Sequence, residues 1–376
     1  MRMKAAVAYG VRQPMVIEEV ELESPHAGEV MVKLTATGVC HSDVHSYTGD
    51  LPREWPVILG HEGAGVVTEV GAGVTRVKSG DHVILTFLPS CGKCHWCHVG
   101  QPTMCDLGQY LRTGKLLDGT SRLRRAKDKK EINHFLFVST FAEYTVAPEA
   151  SLVKVAEYLP LEKLCLLGCG FTTGFGAVTN SAHIRPGETV TIVGCGGLGL
   201  AAVQGAAASG AGKIIAIDIH EAKLSMAKKF GATHTIQSRH NVDEVIKEVM
   251  DITWGQGTDY SFEFVGGSET DETAQLAFKS IRKGGSMFMV GVGAIGKKTM
   301  PIDPYTLALW RKKLQGVLFG DAQFQADIPR YVQLFEQKKI NLDDMITKEI
   351  KLEQVNEAFE DILAGNKVAR SVIRFS

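Results

Sequence analysis

The sequence has little of what marks a membrane protein or a binder of polyanions. None of its apolar runs approaches the ~20 residues that a bilayer-spanning helix needs. Its opening, "MRMKAAVAYGVRQP", lacks the apolar core and small-residue cleavage site of a secretory leader. Neither sign of charge is in excess. With 41 Lys and Arg against 42 Asp and Glu, the net −1 supplies no field to attract nucleic acid or an anionic surface. Aromatic residues make up only 7% of the chain, and the one basic run, "RLRRAKDKK" at residues 122–130, contains none and is interrupted by Asp128. That run reads as a solvated loop rather than a nucleic-acid contact. There is no internal repeat and no low-complexity tract. These absences predict a cytoplasmic protein with a small-molecule partner, and 376 residues suffice for two domains.

The hydrophobic pattern changes along the chain. Up to about residue 150, short β segments such as "MVIEEVEL", "EVMVKLTATGV", "GAGVVTEV" and "GDHVILTF" are broken by Gly, Pro and Asp, which predicts a mainly-β, barrel-like lobe. From Thr189 on, "TVTIVG", "KIIAID", "THTI", "TDYSFEFVG", "SMFMVG" and "LQGVLFG" alternate with helical segments. Six strands with crossover helices predict an α/β, doubly wound parallel sheet. The tail contains a helical pattern, "IPRYVQLFEQKK", and a closing strand, "ARSVIRF", and is too short to bury a core of its own.

The chain does have cysteine, and half of its 8 are crowded into "CGKCHWCHVGQPTMC". Cys91, Cys94, Cys97 and Cys105 follow the spacing C-x2-C-x2-C-x7-C. In a reducing compartment disulfides are disfavoured, and four thiolates around one ion make a closed tetrahedral site, the form of structural zinc. An iron-sulfur cluster and a redox loop are the alternatives to that reading. Cys165 and Cys195 read as packing residues.

The stretch "TIVGCGGLG" places Gly194, Gly196 and Gly199 directly after a strand, with Gly197 and Leu198 opening a helix. Alone, G-x-G-x-x-G is a weak signal in a chain with 40 glycines. Here Asp218 ends the next strand, 19 residues beyond Gly199, where a carboxylate accepts ribose hydroxyls and repels a 2′-phosphate. The helix start offers free N–H groups to a pyrophosphate. The expected cofactor is NAD.

A more dispersed set comprises Cys40, Ser42, Asp43 and His45 in "TGVCHSDVHSYTG", His61 and Glu62 in "ILGHEGAG", and Cys169 in "LGCGFTTGFGA". Two thiols and an imidazole are a ligand set for catalytic zinc, which keeps one position for water or substrate. Singly these residues are weak signals, because a His between glycines usually serves a turn and a buried Cys usually packs as a small hydrophobe.

Taken in order and spacing, these motifs resemble the zinc-dependent medium-chain alcohol dehydrogenases over essentially the whole chain. "DGTSR", "FGATH" and "DDMIT" further resemble actinobacterial members, some of which retain their nicotinamide nucleotide and recycle it with an external acceptor. The resemblance implies a GroES-like catalytic domain from residues 1–172, a Rossmann domain from 173–318, and a segment, 319–376, that returns to the catalytic domain. It implies two Zn2+ per chain, NAD, and a dimer or tetramer. Cys40, His61 and Cys169 match the catalytic zinc ligands. Ser42 and His45 match the proton relay, against the plainer readings of a helix cap and an exposed side chain. Asp43 matches a carboxylate orienting the ligand imidazole, and Glu62 lies behind the metal or is simply a buried acid. Thr173 matches a position facing the nicotinamide, Lys223 one near the adenosine ribose, Arg370 one neutralising pyrophosphate, and Phe87 a substrate-pocket wall. His41 stands where many relatives carry an Arg for cofactor phosphate. With an ordinary pKa of about 6.5, His41 predicts NAD binding that weakens as pH rises.

The expected function is reversible hydride transfer between a primary alcohol, aliphatic, allylic or aromatic, and NAD. The alternatives are oxidation of a formaldehyde–thiol adduct and, outside enzymes, a zinc-thiolate redox sensor or binding protein on the same fold. A sensor needs no hydride acceptor, and the NAD fingerprint weighs against it.

Overall fold

The run "EVMVKLTATGV" forms the strand Glu29–Val39, buried along almost its whole length because it is covered on both faces. It is the spine of a sheet ordered Leu152–Val155, His82–Leu85, Glu62–Val70, Glu29–Val39, Arg370–Arg374 and Ile346–Ile350. Tyr144–Pro148 also pairs with the spine, through residues 29–33. The closing strand of the tail thus lies antiparallel against residues 36–39. A closed barrel is built from Arg2–Ala8, Val16–Leu22, Leu123–Arg125, Glu131–His134 and Val57–Ile58. Closure leaves no strand edge for another chain to pair with. The core beside it collects Phe135, Phe137, Phe141 and Phe359. Each fully buried side chain of this kind contributes about 1.5–3 kcal/mol by leaving water.

The computed structural model describes residues 1–238, 241–267, 269–293, 300, 302–365 and 368–375. These strands belong to one unit of the chain, Met1–Cys169 with Gln323–Glu336 and Leu342–Ser376. The other unit is Gly170–Ala322 with Gln337–Asn341. Its sheet is wholly parallel, in the order His234–Gln237, Lys213–Asp218, Thr189–Val193, Thr258–Glu263, Ile281–Met289 and Lys313–Gly316. Chain order reverses between Thr189–Val193 and Thr258–Glu263, the switch point at which doubly wound sheets bind ligands. Among the described residues no helix is long and apolar enough to cross a membrane.

The basic run differs from the expected solvated loop. Arg122 is fully buried, and its Nε and Nη2 make paired 2.8 Å bonds to the Glu29 carboxylate. Residues 123–125 are a barrel strand, and Arg124, Arg125 and Lys129 pair with Glu23, Asp128 and Glu21. Carboxylates distant in sequence, together with Asp128 within the run, neutralise it, so local charge counting reads it as more exposed than it is.

Candidate active site

Register brings the dispersed residues together. Gly38 pairs with Glu62, so the end of one strand and the start of the next place Cys40 beside His61. A Cβ on Gly38 would lie 2.1 Å from Glu62 Oε2, which is why this position must lack a side chain. Cys40 caps the helix His41–Thr48. Cys169 arrives after the helical turn Cys165–Gly168, where a Cβ on Gly168 would collide with the Leu85 carbonyl at 2.4 Å. The ligand atoms of Cys40, His61, Glu62 and Cys169 all lie within 4.8 Å of one another, and all four residues are buried.

Asp43 organises this cluster. One carboxylate oxygen accepts His61 Nδ1–H at 2.9 Å and the Gly60 N–H at 3.0 Å, and the other accepts the Cys40 N–H at 3.0 Å. This anchors the ring through Nδ1 and leaves Nε2 as the nitrogen gathered with the two thiols. Nε2 is buried and has no hydrogen-bond partner among the described residues. A buried acceptor without a donor costs about 1–3 kcal/mol, a cost that a metal bond removes. Burial works against a charged His61, yet Asp43 and then the Cys40 sulfur hold its pKa well above the usual value. Cys40 is held well below the ordinary thiol range by the Cys169 thiol and, against burial, by Arg370 and His61. Cys169 is pushed up by the Cys40 sulfur and by burial. The donor set fits zinc: two neighbouring cysteine sulfurs and an oriented imidazole.

Burial pushes the Glu62 carboxyl up to about 7 against the pull of Arg370, whose Nη2 lies 3.2 Å from Oε1. Arg370 is itself buried and also donates to the Val39 carbonyl at 3.5 Å. Ser42 Oγ is 3.9 Å from Cys40 Sγ. His45 Nδ1 bonds Asp50 Oδ2 at 3.1 Å, and the His41 ring stands 6.2 Å from that of His45. Phe87 and Phe135 each meet the His61 ring edge to face at 5.8 Å. Asp50, Arg53 and Phe135 carry no signal in the sequence pattern. Only "TGDLPREW", acidic and basic side chains in the turn leading to His61, hints at the first two.

The four clustered cysteines also converge. Cys91 and Cys97 sulfurs lie 3.9 Å apart, as do those of Cys94 and Cys105. A tetrahedron with metal–sulfur bonds of about 2.3 Å has sulfur–sulfur edges of about 3.8 Å, so the spacing suits zinc. Backbone N–H groups of Cys91 and Lys93 point at Cys105 and Cys91 sulfurs at 3.4 Å, stabilising thiolate charge.

In the other unit, the glycine turn follows Thr189–Val193 and leads into the helix Gly197–Ala208, capped by Gly196. Gly194 has φ +93°, and a Cβ on Gly199 would lie 1.8 Å from the Gly194 carbonyl, so both are demanded by the turn itself. A Cβ on Gly196 meets nothing within 4 Å, so the backbone there is open to an approaching group. Leu198 lies half-buried in the first helical turn. Asp218 accepts the Cys195 N–H at 2.8 Å and the His220 N–H at 2.9 Å, with Lys223 Nζ 4.0 Å away. Thr173 is buried in the helix Gly170–Gly176.

Residues 26–157 match the alcohol dehydrogenase GroES-like domain, and residues 197–337 match the zinc-binding dehydrogenase family. The chain is 39% identical to an NDMA-dependent alcohol dehydrogenase of Amycolatopsis methanolica over 376 residues, all of both chains. It is 42% identical to a probable S-(hydroxymethyl)glutathione dehydrogenase of Schizosaccharomyces pombe, covering 98% of this chain and 96% of that one. The solved benzyl alcohol dehydrogenase of Acinetobacter calcoaceticus superposes with a TM-score of 0.92 at 31% identity, with full coverage of both chains. With its two zinc sites, its NAD turn and these relatives, the chain belongs to the zinc-dependent medium-chain alcohol dehydrogenases and is an oxidoreductase acting on alcohols.

Proposed function

We propose that Cys40, His61 and Cys169 hold the catalytic zinc at which a primary alcohol is oxidised reversibly to its aldehyde with NAD. The observation that carries this is the buried Nε2 of His61, without a hydrogen-bond partner among the described residues, aligned by Asp43 and gathered with two thiols. Zinc in a three-ligand site supplies Lewis acidity to an alcohol oxygen, and NAD supplies the hydride acceptor. Around them, Asp43 keeps the His61 ring in one tautomer and orientation. Phe87 and Phe135 wall the imidazole with apolar surface, which keeps water away from the reacting carbon. Ser42 Oγ takes the hydroxyl proton, and His45 passes it to water from Nε2, since Nδ1–H is committed to Asp50. Glu62 and Arg370 form a buried pair that balances charge behind the thiols, whereas the sequence resemblance assigns Arg370 to neutralising the pyrophosphate.

In this reading residues 1–172 and 319–376 carry the catalysis and 173–318 the nucleotide. Gly194, Gly196, Gly197, Leu198 and Gly199 take the pyrophosphate, and Asp218 and Lys223 the adenosine ribose. Cys91, Cys94, Cys97 and Cys105 hold a zinc that only braces its loop. A cytoplasmic location fits a chain in which six of the eight cysteines are assigned to zinc rather than to disulfides. A homo-oligomer is supported by the exposed edge strand Lys313–Gly316, flanked by exposed Leu309, Trp310 and Leu318.

The test combines metal analysis with an NAD-reduction assay on ethanol, hexanol, geraniol and benzyl alcohol, each with and without a nitroso electron acceptor or a small thiol plus formaldehyde. Two zinc ions per chain and turnover of free alcohols support the proposal. Turnover only with the acceptor assigns a retained nucleotide, and turnover only of the thiol adduct moves the substrate to that class. One zinc and no turnover overturns it.

A further inference from the structure

A half-buried cation with no ion-pair partner among the described residues lies over Phe135, a ring that meets His61 edge to face. Arg53 sits in the loop before Val57–Ile58, its guanidinium carbon 4.8 Å from the centroid of Phe135, the ring that meets His61 edge to face. Its Nε donates to Ser46 Oγ at 3.4 Å, and it forms no ion pair among the described residues. Other arginines of the same unit differ: buried Arg122 has Glu29, buried Arg370 has Glu62, and half-buried Arg125 has Asp128. The nearest carboxylate that Arg53 senses is Asp43, whose oxygens are already taken by His61, Cys40 and Gly60. The other charge it senses is Arg112, exposed and of the same sign. Burial, with Arg112, lowers the Arg53 pKa to about 10, so the group still carries its charge at neutral pH. Taking a charge partly out of water without a counter-ion is costly, and an arriving anion would remove that cost.

We propose that Arg53 recognises a carboxylate on the substrate, and that the preferred alcohols carry an anionic group about one benzene ring away from the carbinol carbon. The guanidinium lies over the Phe135 ring with Nε bonded to Ser46, which leaves its two Nη groups to match a carboxylate as a fork. Adding the two ring contacts puts it within about 11 Å of the imidazole, a span that an aromatic hydroxymethyl acid bridges. Arg112, exposed and close enough to act on Arg53, adds long-range attraction for the same charge. In the reaction the carboxylate is a spectator: the carbinol carbon gives a hydride to NAD, its hydroxyl gives a proton to solvent, and the aldehyde keeps the acid group. The proposal rests on the alcohol dehydrogenase reading and narrows its substrate class.

The experiment compares 4-(hydroxymethyl)benzoate with its neutral isostere, 4-methylbenzyl alcohol, on the wild-type enzyme and on Arg53→Gln and Arg53→Lys. The expected wild-type ratio of kcat/KM, acid over neutral, is at least about tenfold, carried by KM, as a charge-assisted pair provides. The ratio falls to about one in R53Q and is partly kept in R53K. A wild-type ratio near one, or a ratio that persists in R53Q, overturns the proposal while leaving alcohol oxidation intact. Loss of turnover with both alcohols instead strikes the alcohol dehydrogenase reading. Calorimetric binding of the two compounds then decides the subsite alone: tighter binding of the acid that depends on Arg53 supports it, and equal binding overturns it.

Discussion

Asp43 satisfies three N–H donors with two oxygens, and it does so at 0% exposure. Replacing it by Asn keeps the shape but turns one acceptor into an NH2 group. If the amide oxygen keeps His61 and Gly60, the amide nitrogen faces the Cys40 N–H, donor against donor. We expect D43N to weaken zinc binding at the Cys40, His61 and Cys169 site by about 10–100-fold, the usual effect of losing a carboxylate behind a ligand imidazole. Chelator competition measures it, and an unchanged affinity would mean that Asp43 orients nothing of consequence. The motif spacing made Asp43 visible in the sequence, because it lies three residues after Cys40 in a helix start. Arg53, Asp50 and Phe135 were not visible. Their relevance comes from a stacking contact across 82 residues and from a turn hydrogen bond, neither of which leaves a period or a spacing in the chain.

At the scale of elements, two glycines of one turn serve different ends. A Cβ on Gly199 would strike the Gly194 carbonyl, whereas a Cβ on Gly196 would project into open space. Gly196→Ala should therefore fold with an unchanged Tm and bind NAD at least about tenfold more weakly, since the added methyl takes the place of the approaching pyrophosphate. Gly199→Ala should lower Tm as well as NAD affinity, because the turn must open to admit it. Fluorescence titration of NAD and thermal melting separate the two, and equal Tm losses would show that the open space at Gly196 is structural. The parallel sheet was legible because buried strands read as continuous apolar runs, and "KIIAID" gives its strand residue for residue. The strand after Thr270–Ser280 begins at Ile281, five residues before the apolar run "SMFMVG" suggests. Within the intervening "IRKGG" only Ile281 pairs with the neighbouring strand before the register shifts to Ser286, and Gly284 takes φ +72°, so a bulge that composition does not announce carries the strand into its apolar run.

Across the whole molecule, the two cysteine-rich ligand sets make independent claims on metal. The set at Cys91, Cys94, Cys97 and Cys105 lies on short turns and the helix His95–His98, in which no residue is buried. With so little core in that loop, the metal replaces hydrophobic packing as the source of local order. Cys94→Ser should release one of the two zinc ions, lower Tm and expose the loop at residues 91–111 to proteolysis. The catalytic ligands are held by strand register and by Asp43, neither of which depends on that loop, so the second zinc should stay. The NAD turn belongs to the other unit of the chain and should keep its affinity for the nucleotide. Metal analysis, limited proteolysis and NAD titration on the one variant read all three. Loss of both zinc ions would show that the loop supports the catalytic cluster, and retention of both would show that three sulfurs are enough to hold the bracing metal.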